Sequence, residues 1–191
     1  MRSDNKAGTM VRNDIKSWTG PAKLFHWLMA LLIFAQIALG LVAVSLRISP
    51  TKLNLFVWHK SLGMLILALL ALRLLWRLMH RAPELPWEMP LWERAAAQLS
   101  HFLLYVLMIA LPVTGWVISS ASNVPFKIFW TLPLPAITAP DKAVADLFAV
   151  IHGWLVTLLA VVLAAHVGAA LRHHYVKKDT VLARMLPWST S

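Results

Sequence analysis

Four long apolar runs, at about 24–46, 55–79, 99–120 and 147–171, alternate with stretches rich in proline and charge. Each run exceeds the ~20 residues that a helix needs to cross a ~30 Å hydrocarbon core. A segment inside hydrocarbon must satisfy its own backbone hydrogen bonds, so helix is the default. The pattern predicts an all-α membrane protein, a bundle of four transmembrane helices. Pro21 suits a helix start, and residues 47–54 turn through Pro50 over a span short enough to force antiparallel neighbours. Pro83, Pro86 and Pro90 forbid a continuous helix between the second and third runs. Pro112 and Gly115 mark an expected bend in the third. The longest connection, 119–146, sets Pro125, Pro133, Pro135 and Pro140 among aromatic and aliphatic residues, which suits a segment lying on the outer membrane surface. The organisation that follows is a polar N-terminal tail over 1–22, one transmembrane domain over 23–187 and a short end at 188–191.

Composition strengthens this picture. Apolar residues make up 59% of the chain, against roughly 45–50% in ordinary soluble domains. Trp18, Trp27, Trp58, Trp76, Trp116, Trp130, Trp154 and Trp188 lie near run ends or beside them, as an interfacial aromatic belt requires, and Trp87 and Trp92 fall in the middle connection. The formal net charge is +10, yet it is not spread as a nucleic-acid surface would be. With the N-terminus inside, thirteen Lys and Arg fall on inner segments and five on outer ones: Arg47, Lys52, Lys60, Lys127 and Lys142. By the positive-inside rule both termini are expected in the cytoplasm. The absence of cysteine excludes disulfides, cysteine-ligated clusters, thiolate catalysis and covalent haem attachment. The first run follows a basic stretch as a signal peptide's would, but its length and the lack of a small-residue cleavage site favour a retained helix.

An ionisable side chain in hydrocarbon is costly, so a histidine there points to function. His26, His59, His101 and His152 stand near the starts of the four runs, and the fourth run adds His166. Alternating helix directions place His26, His101 and His166 toward the inside, and His59 and His152 toward the outside. His152 and His166 are fourteen residues apart, which on a helix is ~21 Å of rise and only ~40° of rotation. One face therefore presents imidazoles at two depths. At matching depths stand His59 for His152 and His26 for His166, with His101 as an alternative partner for His166. Two bis-histidine sites stacked along the bundle axis are expected. Such ligation leaves no open iron position and suits low-spin haem used for electron transfer within a bundle. Zinc or copper is the competing metal, but separated histidine pairs without cysteine or nearby carboxylates suit planar haems better.

The fourteen-residue spacing recurs, with Gly40 after His26, Gly115 after His101 and Arg73 after His59. The glycines would let a macrocycle approach the backbone, Gly63 would relieve crowding one turn after His59, and Arg73 would pair with a haem propionate. Arg77 reads as a snorkelling side chain, His80 as a loop residue, and His173 and His174 as interfacial.

At these residues the chain resembles the bacterial cytochrome b561 family, which is related to the membrane cytochrome b subunits of hydrogenases and formate dehydrogenases. The marks are FHWLMA around His26, WHKSLG around His59 with RLLWR after it, HFLLYVLMIALPVTGW in the third run, and HG…AAHVGAALRHHYVKKDTVLARMLP in the fourth. They cover nearly everything from Lys23 to Pro187. The resemblance implies two non-covalent b haems, one ligated by His26 and His166 and the other by His59 and His152. It also implies electron exchange with quinone, ubiquinone being expected, and in some members oxidation of superoxide on the periplasmic side. His101 would then lie near a quinone or a propionate, while Arg47, Lys52 and Lys60 would draw a small anion toward the outer haem.

The expected protein is thus a multi-pass cytochrome of the bacterial inner membrane. It would move single electrons between quinone and a periplasmic donor, either superoxide or a redox protein, and any enzymatic activity would be that of a superoxide:quinone oxidoreductase. The alternatives are an anchoring cytochrome b subunit of a hydrogenase- or dehydrogenase-type complex and a histidine-lined non-haem metal protein. Lipid and quinone are the expected partners; nucleic acid is not.

Overall fold

A computed structural model describes residues 17–80, 83 and 89–188. The expected tail therefore lies outside the described residues up to position 16, as do most of the proline-rich middle connection and the end from 189 onward. Four helices carry the fold: α1 (Gly20–Ser45), α2 (Pro50–Met79), α3 (Leu91–Ala121) and α4 (Lys142–Arg172). All four are long and apolar enough to cross a membrane. Large apolar side chains cover the outside, with Leu31 68% and Val161 62% exposed. This distribution belongs to a solvent that is itself apolar.

Each helix starts before the apolar run that announced it, because capping rather than hydropathy sets the start. Pro21 lies in the first turn of α1. The side chain of Ser49 accepts from the Lys52 N–H at 3.2 Å with Pro50 following, so α2 begins inside the expected 47–54 turn. Asp141 accepts from the N–H groups of Ala143 and Val144 at the start of α4. α3 begins immediately after Pro90 and continues through Pro112. The four-residue connection between α1 and α2 makes them antiparallel neighbours, and α1 lies on α2, α3 on α4, and α2 also meets α3.

The core cluster is one apolar layer at mid-height, made of Met29, Ile33, Ile66, Leu70, Leu107, Met108, Leu159 and Val162. Every helix contributes two of these residues.

The long connection carries structure that the hydropathy pattern did not announce. Strands β1 (Phe126–Ile128) and β2 (Leu132–Leu134) form a small antiparallel hairpin, with Phe126 opposite Leu134. Its turn places Phe129 and Trp130 at φ 46° and 62°, closed by the Thr131 N–H donating to the Ile128 carbonyl at 3.0 Å. Two positive φ angles mark a type I′ turn, normally the place of Asn and Gly. The loop is tied to the bundle by Trp116 Nε1 donating to the Pro135 carbonyl and by the Phe129 N–H donating to Ser61 Oγ.

At the opposite end, α4 passes into a π-helical turn (His173–Lys177) and then a 3-10 turn (Ala183–Met185). Here the expectation of an interfacial His173 fails. The residue is buried and its Nδ1 pairs with the Asp179 carboxylate, while its Nε2 lies 3.8 Å from Glu93. Glu93, itself buried in the first turn of α3, also receives Arg172 at 3.1 Å and Lys177 at 2.5 Å. One carboxylate thus fastens the exit of α4 to the start of α3.

Candidate functional site

Five histidines fall into two groups separated by the apolar layer. Near the hairpin, the rings of His59 on α2 and His152 on α4 have centroids 6.3 Å apart. Near the chain termini, His26 on α1 and His166 on α4 are also 6.3 Å apart, while His101 on α3 comes within 5.3 Å of His166. A metal between two imidazole nitrogens needs about 2.0–2.1 Å of bond on each side, which with the ring radii puts centroids about 6–6.5 Å apart. The His59–His152 and His26–His166 pairs meet that separation, and the His101–His166 pair falls short of it. His101 is also the most exposed of the five, the others being half-buried.

The hairpin-side pair is shaped by its neighbours. A Cβ built on Gly40 would lie 2.9 Å from His59 Cε1, so the missing side chain makes room for that imidazole rather than for a macrocycle directly. Gly115 lies beside His152, but a built Cβ there would stand at ordinary contact distance, 3.8 Å from Cε1. Gly63 faces Gln36, whose Nε2 donates to the His59 carbonyl at 2.7 Å. Thr114 Oγ1, 2.8 Å from His152 Nδ1, is a contact that sequence reasoning missed; one threonine in an apolar helix carries no signal.

The terminal-side group sits among cations and aromatics. Arg73 Nη2 lies 3.4 Å from His26 Nδ1, and its guanidinium stands 5.8 Å from the Tyr105 ring centre. Arg77, expected to snorkel, donates to the Tyr105 hydroxyl at 3.3 Å. His80 stacks on Trp76 at 3.9 Å and closes α2. Arg73, Arg77, Tyr105, Trp76, His80 and Trp18 line a notch at this end. Of the outer cations, Lys52 donates to the Leu46 carbonyl at 2.8 Å, Lys60 lies over the Phe126 ring at 5.0 Å, and Arg47 is exposed between α1 and α2.

Residues 17–188 match the family model described as prokaryotic cytochrome b561. The chain belongs to this family. Among curated relatives, it is 37% identical to cytochrome b561 homolog 2 of Escherichia coli (strain K12), over 87% of this chain and 89% of that protein. It is 30% identical to cytochrome b561 homolog 1 of the same organism, covering 85% and 92% of the two chains. A protein named probable superoxide oxidase CybB, from Yersinia pestis, is 32% identical over 85% and 91%. As a cytochrome b561, the chain is a multi-pass membrane protein of electron transfer, and its family implies haem b.

The residues fit that group. Two imidazole pairs with ring centroids 6.3 Å apart would suit as donors to haem iron. Among the described residues no cluster of three or more His, Asp or Glu could hold a compact metal ion.

Proposed function

We propose that this cytochrome b561 holds two b haems, one between His26 and His166 and the other between His59 and His152, and passes single electrons between a quinone and a periplasmic donor. The observation that carries the reading is the repeated 6.3 Å ring separation on two faces of one apolar layer. Haem iron supplies reversible one-electron chemistry when bound. The chain's own part would be to hold each group by a pair of imidazoles, His26 with His166 and His59 with His152, and to keep the groups dry. Fourteen residues of unbroken α4 separate its two histidines, about 21 Å of rise.

Charge supports a sidedness. Thirteen Lys and Arg fall on the segments read as inner and five on the outer ones, which favours the cytoplasm for the end bearing Trp18 and Arg184 and the periplasm for the hairpin. The membrane proposed is the bacterial inner membrane. Arg73, on the aromatic notch, and His101, beside His166, are assigned to the quinone (ubiquinone) headgroup or to a propionate. Arg47, Lys52 and Lys60 stand at the periplasmic end near His59, where positive charge raises the encounter rate of an anion. Superoxide is the donor proposed, in keeping with the name of the Yersinia pestis relative.

Purified protein is expected to give two b haems per chain by pyridine haemochrome. His152→Ala and His26→Ala should each lower this toward one, whereas His101→Ala should keep both and slow quinone reduction. Well-folded wild-type protein without haem would overturn the reading, and loss of a haem in His101→Ala would move the inner ligand from His26.

A further inference from the structure

Thr114 is 7% exposed and sits on α3 against His152 on α4. Its Oγ1 lies 2.9 Å from the Leu111 carbonyl oxygen and 2.8 Å from His152 Nδ1. A threonine hydroxyl has one proton, and a carbonyl can only accept. The proton therefore goes to Leu111, a common bond of a threonine to its own preceding turn. Toward His152 the same oxygen is left as an acceptor, so Nδ1 carries the ring proton and Nε2 keeps its lone pair.

The partner ring has no such tether. His59 Nδ1 is buried without a hydrogen-bond partner among the described residues, and its ring edge is fixed by the close approach to Gly40 instead. One imidazole of the pair is thus held by shape and the other by a hydrogen bond.

We infer that Thr114 is a positioning residue for His152: the hydroxyl selects the tautomer that presents Nε2 to the haem and, by accepting from Nδ1–H, helps set that haem's reduction potential. The inference rests on the assignment of the outer haem to His59 and His152. An imidazole whose Nδ1–H is hydrogen-bonded is the more basic ligand, and a more basic ligand favours the oxidised metal. The Leu111 carbonyl also faces the His152 ring, so removing the hydroxyl withdraws one of two acceptors. That should make the outer haem easier to reduce and leave the inner haem unchanged.

The test compares Thr114→Val, which keeps the shape and loses the hydroxyl, with Thr114→Ser, which keeps the hydroxyl. Redox titration of purified protein and low-temperature EPR of the oxidised haems are the readouts, with His152→Ala identifying the outer component. The expected result for Thr114→Val is a several-fold shift of the outer reduction equilibrium toward the reduced form, tenfold corresponding to about 59 mV. Thr114→Ser should titrate as wild type. Loss of the outer haem from Thr114→Val but not from Thr114→Ser would support the same role more strongly. Equal shifts in both variants, an unshifted Thr114→Val, or a shift of the inner haem of the same size would overturn it. If His152→Ala instead retained both haems, the ligand assignment itself would fall.

Discussion

The imidazole of His59 can reach its place only because Gly40, on the facing helix, has no side chain. A methyl there would stand 2.9 Å from Cε1, and the neighbour is a ring held between two helices rather than the end of a flexible chain. Gly40→Ala is therefore expected to displace His59 and lower haem content from two toward one per chain. Pyridine haemochrome would read this, and the circular dichroism of the bundle should be unchanged. The histidines were legible in the sequence because fourteen residues nearly close whole turns of a helix, so equal spacing means a shared face. The same spacing singled out Gly40 but could not say what occupies the space beside it. Thr114 left no trace at all, since its role depends on which atom of a neighbouring helix its hydroxyl meets.

Apolar runs located the four helices and their last residues to within one position but missed their starts, because Ser49, Pro90 and Asp141 begin helices with polar or proline residues that hydropathy counts as connection. The hairpin was illegible for a related reason. Its strands have three residues each, too few for an alternating pattern, and its turn is Phe129–Trp130 where Gly or Asn would announce it. Left-handed angles cost such residues roughly 1–2 kcal/mol apiece. The offset comes from Trp58, which meets both rings edge-on at 5.6 and 5.3 Å, and from Ser61, which accepts from the strained backbone at 2.8 Å. Ser61→Ala should strand that N–H, destabilise the protein by about 1–3 kcal/mol and raise hydrogen exchange across 126–134. A hairpin that kept its protection would show that the aromatic contacts hold it alone. At the other end, Glu93→Gln should weaken the grip on Arg172 and Lys177. Its expected signature is a lower unfolding temperature and faster proteolysis of 173–187, with the haem spectra intact.

Orientation in the membrane belongs to the protein entire, since it comes from summed charge and from no one contact. Thirteen cations at one end against five at the other should hold both termini in the cytoplasm. A C-terminal alkaline phosphatase fusion is then expected to be inactive and a fluorescent protein fusion bright; the reverse pattern would exchange the two faces assigned above. The four-span architecture was open to reading from composition alone, because hydrocarbon thickness constrains any chain in the same way. The layer of Met29, Ile33, Ile66, Leu70, Leu107, Met108, Leu159 and Val162 between the histidine pairs has an electrical meaning. These eight residues offer neither hydroxyl nor charge for a chain of water to follow, so an electron crossing between the proposed haems would travel without a proton beside it. Moving one charge over about 21 Å of a ~30 Å barrier involves about 1.6 kcal/mol per 100 mV of membrane voltage. With the cytoplasm negative, inward electron flow runs against that voltage and outward flow runs with it. Electrons passed as proposed, from a periplasmic donor to a quinone at the other face, run inward and so add to the voltage as an ion pump does; their rate in sealed vesicles should rise when an ionophore collapses the voltage.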